Sequence, residues 1–211
     1  MLMKPFEILL IYNIISLLII ICLLIICVKT IKKQNKKDII LKITSIAVII
    51  VHYSSLYLGF FKNQGNVTVE NTMLLPIYPC NIIMWLLLIV SFSKNKETKV
   101  YKLLSEFTCF GGTICGLIGS LFNVNFLNNP DLLNYNILKG LIGHSIMIFG
   151  TAYLFVFKYV KFTVSKTMMS VIVGELIFTV CGFFVNTLFA IFNVPPVNAM
   201  FMLKPPFKEV P

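Results

Sequence analysis

Two histidines and one cysteine hold most of the chemistry that this 211-residue chain offers inside its apolar segments. Cys80 stands in "LLPIYPCNIIMWLLLIV", residues 74–90, just behind Pro76 and Pro79. His144 stands in "GLIGHSIMIFG" and His52 in "VHYSS". A thiolate is a nucleophile, and an imidazole within reach of a thiol is the base that generates one. Polar groups inside a membrane are costly, so each is a functional candidate. The set comprises His52, Cys80, Asn81, His144, Ser145, Glu175 and Asn186. His52 lies 14 residues after Asp38, Cys80 13 before Ser93, and His144 14 before Lys158. At about 1.5 Å per helical residue, all three reach one level about 20 Å from the lysine-rich boundary. That level is about 10 Å beneath the other face of a core about 30 Å thick.

The prolines bear on how the thiol is presented. Proline suits the first position of a helix, where its missing N–H costs nothing. A helix starting at Pro79 is therefore expected, with "LLPIY" non-helical and either buried in protein or lining a cavity. Cys80 then lies in a first helical turn, where backbone N–H groups and the helix dipole favour thiolate. The N–H groups near Asn81 and Ile82 are candidates for an oxyanion hole. Gly140, Gly143 and Gly150 clear room beside His144.

The same residues also fit plainer roles. Cys80 reads as a packed, inert thiol, and so do most of the six cysteines. His144 suits an interhelical hydrogen bond, and His52 beside Tyr53 suits an aromatic belt. Glu106 and Glu175 lie near the inner ends of their spans, where they can snorkel. Gly111, Gly112, Gly116 and Gly119 read as helix packing. There is no Walker motif, GxSxG elbow, HExxH or zinc-ligand spacing, and no metal or organic cofactor is implied.

The elements that must position these groups are transmembrane helices. The chain is 58% hydrophobic and 12% charged, which predicts an all-α, polytopic bundle and one membrane domain over 1–211. Six spans are expected at about 8–28, 39–61, 74–92, 103–122, 138–157 and 170–193. All 18 basic residues are lysine, and the net charge of +10 reflects membrane topology, not nucleic-acid binding. "KTIKKQNKKD", "KNKETKVYK" and "KYVKFTVSK" carry five, four and three lysines. These loops are expected to face the cytoplasm of a plasma membrane, with both termini extracytoplasmic. The first span lacks a cleavage site and does not read as a signal peptide. "NVNFLNNPDLLNYN" is polar, nearly uncharged, and placed to cap the outer end. The Ile-, Asn- and Lys-rich composition fits an AT-rich bacterial genome.

"LPIYPC" resembles the LPxxxC motif of the YwaF-like integral membrane proteins. "GHSIMIFG" fits that family's single later histidine. "NAMFMLKPP" resembles its N-[aromatic]-M-[aromatic]-L-x-x-K-P ending. Ala199 replaces the usual aromatic, and Pro205–Pro206 stand where one proline is expected. The family includes the transmembrane protein 164 type of lipid acyltransferase. The resemblance implies that Cys80 is the acyl-accepting nucleophile and His144 its base. Asn198 and Lys204 would support the site as part of the family ending, and Asn81 and His52 are expected to support it or bind substrate. The expected function is acyl transfer between membrane lipids, from an acyl donor to a lysolipid acceptor; water as acceptor would make the chain a lipase or thioesterase. The alternatives are a transporter or substrate-binding membrane subunit, where a broken helix holds a ligand, and a structural membrane protein without chemistry.

Overall fold

A computed structural model of the chain describes residues 4–62, 78–192 and 199. Among these residues there are seven helical elements: α1 Pro5–Thr30, α2 Gln34–Lys62, α3 Pro79–Phe92, α4 Lys99–Leu121, α5 Val124–Asn128, α6 Tyr135–Val156 and α7 Val164–Ile191. Five stretches are long and apolar enough to cross a membrane: α1, α2, α4 running on through α5, α6 and α7. The third expected span is represented by α3, whose 14 residues rise about 21 Å, less than a full hydrocarbon core. Residues 63–77, including "LLPI", lie outside the described residues.

The helix starts follow local chemistry. Pro5 opens α1, and the Glu7 carboxylate accepts the Lys4 backbone N–H at 3.0 Å, closing one orphan donor. Pro79 opens α3 behind an extended Tyr78, as expected of a proline at the first helical position. α7 begins at Val164, six residues ahead of the expected boundary. Hydropathy marks only the apolar stretch of a helix, and this one begins earlier, with Lys166 in its first turn.

Outward and inward faces are reversed relative to a water-soluble bundle. Leu18 is 58% exposed, whereas Asn13 on the same helix is 7% exposed and donates to the Leu9 carbonyl at 2.8 Å. Lipid is as apolar as leucine, so polar and small residues turn inward. α6 is the central helix and packs on α1, α2, α3 and α4, while α7 rests mainly on α4. Small residues permit this closeness. A Cβ at Gly112 would meet Ile83 Cγ2 at 2.7 Å, and one at Gly150 would meet Leu87 Cδ2 at 2.8 Å. Gly174 of α7 makes the seat for the Phe107 ring, which also packs edge-on against Phe178 at 5.2 Å.

The lysine-rich end is tied by one carboxylate. Asp38 Oδ1 accepts from Lys96 at 2.7 Å, Tyr159 at 2.5 Å and Gln34 at 3.0 Å. These bonds join the start of α2 to the α3–α4 and α6–α7 connections. Burial and the bond to Asp38 push the Tyr159 phenol above its ordinary range, so it remains a donor.

Candidate functional site

Tyr78 is extended and Pro79 starts α3, so Cys80 and Asn81 project from its first turn. Their surroundings form a cavity of about 830 Å³ at the end of the bundle opposite Asp38. His52 from α2 and His144 from α6 line the same cavity, with Gly140 and Gly143 beside His144. Four expected site residues, Cys80, Asn81, His52 and His144, thus share one space. Asn198 and Lys204 lie outside the described residues.

The thiol donates to Asn81 Oδ1 at 3.4 Å, and Asn81 itself is buried. Among the described residues Cys80 and His144 share no hydrogen bond. Among the described residues the buried Nδ1 of His144 has no hydrogen-bond partner. The Gly140 carbonyl, one turn earlier, is near the imidazole but not at hydrogen-bond geometry. His52 packs edge-on against Tyr53, with ring centroids 4.8 Å apart, and lies within electrostatic reach of Lys139 and His144. Lys139 donates to Ser55 at 3.0 Å across the α2–α6 contact.

The expected oxyanion hole is corrected by the backbone. The Asn81 and Ile82 N–H groups donate to the Tyr78 carbonyl at 2.9 and 3.3 Å. Those are the first bonds of the helix, closed by the residue that caps it. The Cys80 and Asn81 N–H groups still lie beside Sγ.

Several features escaped the sequence reading. Gly119 of α4 faces the imidazole: a Cβ there would stand 2.6 Å from Nε2 and 2.8 Å from Cε1. By contrast a Cβ at Gly143 would meet only Val51, at 3.7 Å. The room-making glycine for the ring therefore lies on a neighbouring helix, and no local motif announces it. The loop expected to cap the bundle does line the cavity, and it does so with amides: Asn125, Asn128, Asn129, Asn134 and Asn136. Carboxamides donate and accept, and they carry no charge.

Other candidates point elsewhere. Ser145 bonds Tyr12 at 2.9 Å and Ser16 at 2.8 Å, fastening α6 to α1. Asn186 of α7 pairs twice with the backbone of Ala199, accepting its N–H at 2.9 Å and donating to its carbonyl at 3.2 Å. It thereby holds Ala199 against α7. No cluster of three metal-ligating side chains occurs among the described residues.

A sequence profile of the TMEM164 family matches residues 2–211, nearly the whole chain. No curated protein and no solved structure matches it.

Proposed function

The chain belongs to the TMEM164 family of membrane proteins, and on that premise we propose that it is a lipid acyltransferase acting through Cys80 and His144. The supporting observation is that residues from three helices, a thiol, an amide and two imidazoles, line one cavity of about 830 Å³. Its size is within the range of small-molecule sites.

In this reading the His144 imidazole takes the Cys80 proton. The thiolate attacks the ester carbonyl of a donor lipid, forming a C–S bond. The C–O bond then breaks, and the lysolipid alkoxide leaves with the proton from His144. Next His144 takes the hydroxyl proton of an acceptor lysolipid. The resulting oxygen attacks the thioester, and Cys80 departs as thiolate and recovers its proton. The reaction balances without any cofactor. The Cys80 N–H and the Asn81 side-chain amide would be the donors that steady the tetrahedral oxygen. The resting thiol is bonded to Asn81, so the contact with His144 forms when substrate fills the cavity. Such bonds commonly tighten only then.

The test is chemical. Purified protein incubated with labelled diacyl phospholipid should carry an acyl group that neutral hydroxylamine releases. Protein that never acquires one, while retaining a small hydrophilic ligand, supports the transporter instead.

The bundle is proposed to cross a plasma membrane six times, with α3 as the short crossing. The lysine-rich loops would face the cytoplasm and the asparagine-lined cavity the outer leaflet. Acyl-CoA is cytosolic, so this orientation favours a lipid donor. Impermeant thiol labelling of single cysteines at Ser93 and Asn128, in a background free of native cysteines, checks it. Reaction at Asn128 alone is expected, and reaction at Ser93 alone would reverse the orientation.

A further inference from the structure

At the lysine-rich end, a second cavity of about 720 Å³ gathers lysine side chains from three segments. Lys96, Lys99 and Lys102 come from the α3–α4 connection and the first turn of α4. Lys158 and Lys161 come from the α6–α7 connection, and Lys166 from the start of α7. These six ammonium groups face two lining carboxylates, Glu97 and Glu106. Lys96 is paired with Asp38 at 2.7 Å and Lys102 with Glu97 at 2.8 Å. Lys99, Lys158, Lys161 and Lys166 form no ion pair among the described residues. Lys158 also adopts a left-handed backbone, φ 61°, which is uncommon for a residue with a side chain. Like charges gathered around a concavity repel, and such a cleft concentrates anions.

Topology alone places lysines in these loops. It does not account for Tyr101 among them. Tyr101 lines the cavity and is 5% exposed, yet among the described residues its buried hydroxyl has no hydrogen-bond partner. A buried donor without a partner is costly, and an acceptor in the cavity would relieve that cost. Part of the remaining wall is apolar and open to the surroundings: Leu103 is 39% exposed and Met169 58%. They stand on α4 and α7, which pack together.

We propose that this cavity binds a phosphate-bearing amphiphile. Its phosphate would meet Lys99, Lys158, Lys161, Lys166 and the Tyr101 hydroxyl, and its apolar part would lie along Leu103 and Met169. The shared chemistry is a phosphoryl group, carried by a lipid headgroup of the lysine-side leaflet or by a soluble molecule. The site is separate from the cavity of Cys80 and does not depend on acyl transfer.

Full-length protein in detergent is titrated with dioctanoyl phosphatidic acid, dioctanoyl phosphatidylcholine or pyrophosphate. Native mass spectrometry counts the bound molecules, and thermal unfolding follows saturation. Phosphatidic acid is expected to fill one saturable site that phosphatidylcholine does not. The double variant Lys99→Gln, Lys161→Gln should weaken it about tenfold or more, and Tyr101→Phe about fivefold. The double variant Lys32→Gln, Lys33→Gln removes equal charge at the same end but outside the cavity, and should leave binding unchanged. Pyrophosphate that competes for the site supports a soluble source, and phosphatidic acid binding without such competition supports a lipid. Equal weakening by the two double variants, non-saturating uptake, or wild-type affinity in Tyr101→Phe would overturn the site.

Discussion

Cys80→Ala is expected to abolish acyl transfer and with it every hydroxylamine-releasable acyl group. Alanine keeps the helix start at Pro79 but has nothing to attack an ester. Cys80→Ser should fall by on the order of 10³-fold or more, because nucleophile and base act as a unit and a serine hydroxyl is far less ionised than a thiol. A neighbouring thiol supplies the control. Cys115 of α4 is close enough to interact electrostatically with Cys80, yet it does not line the cavity, so Cys115→Ala should transfer normally. The assay follows a labelled acyl chain from phospholipid to lysolipid in liposomes, with equal folded protein for each variant. Full activity in Cys80→Ala would remove the nucleophile and leave the transporter as the better account.

The second large effect separates the histidines. His144→Ala should lower transfer by roughly 10²–10⁴-fold, the usual worth of general acid–base assistance, and should eliminate the thioester. Imidazole added to the buffer should restore part of the loss, which a purely structural role would not permit. His52→Ala should retain a measurable thioester, since His52 is already engaged edge-on with Tyr53. Gly119→Ala offers an independent route to the same base. Its new Cβ would lie 2.6 Å from Nε2, so the ring must move. A displacement near 1 Å can cost about a hundredfold in rate. The reverse pattern, with His144→Ala active and His52→Ala dead, would name His52 as the base.

The helices were legible because an apolar run of membrane length reads directly as a span, and the start of α3 because proline has one comfortable position in a helix. Boundaries were less legible. Val164 to Met169 is helix that hydropathy could not mark, since lysine-bearing turns hold helical shape in water as well. The cavity's main residues were found by depth, a quantity that chain position supplies. The pairings were not. Gly119 with His144, Asn186 with Ala199, and Asp38 with Lys96 and Tyr159 are set by how helices rotate against each other, which no single segment encodes. The oxyanion hole was misplaced for a local reason: a capping residue's own carbonyl competes for the first N–H groups, and here Tyr78 takes two of them.

The two cavities differ in a way that ionic strength reveals. One is edged mainly by neutral amides from Asn125 to Asn136, with Lys139 its one lysine, the other by six lysines. Mobile ions screen exposed charge within about 10 Å at 0.1 M salt, whereas dipoles that bond at contact distance scarcely respond. Raising salt is therefore expected to weaken anion binding at the lysine end more than ligand binding at the amide-edged end. Each end of the bundle answers to a different property of its surroundings, electrolyte at one and hydrogen-bonding groups at the other, and the span between them keeps the responses apart.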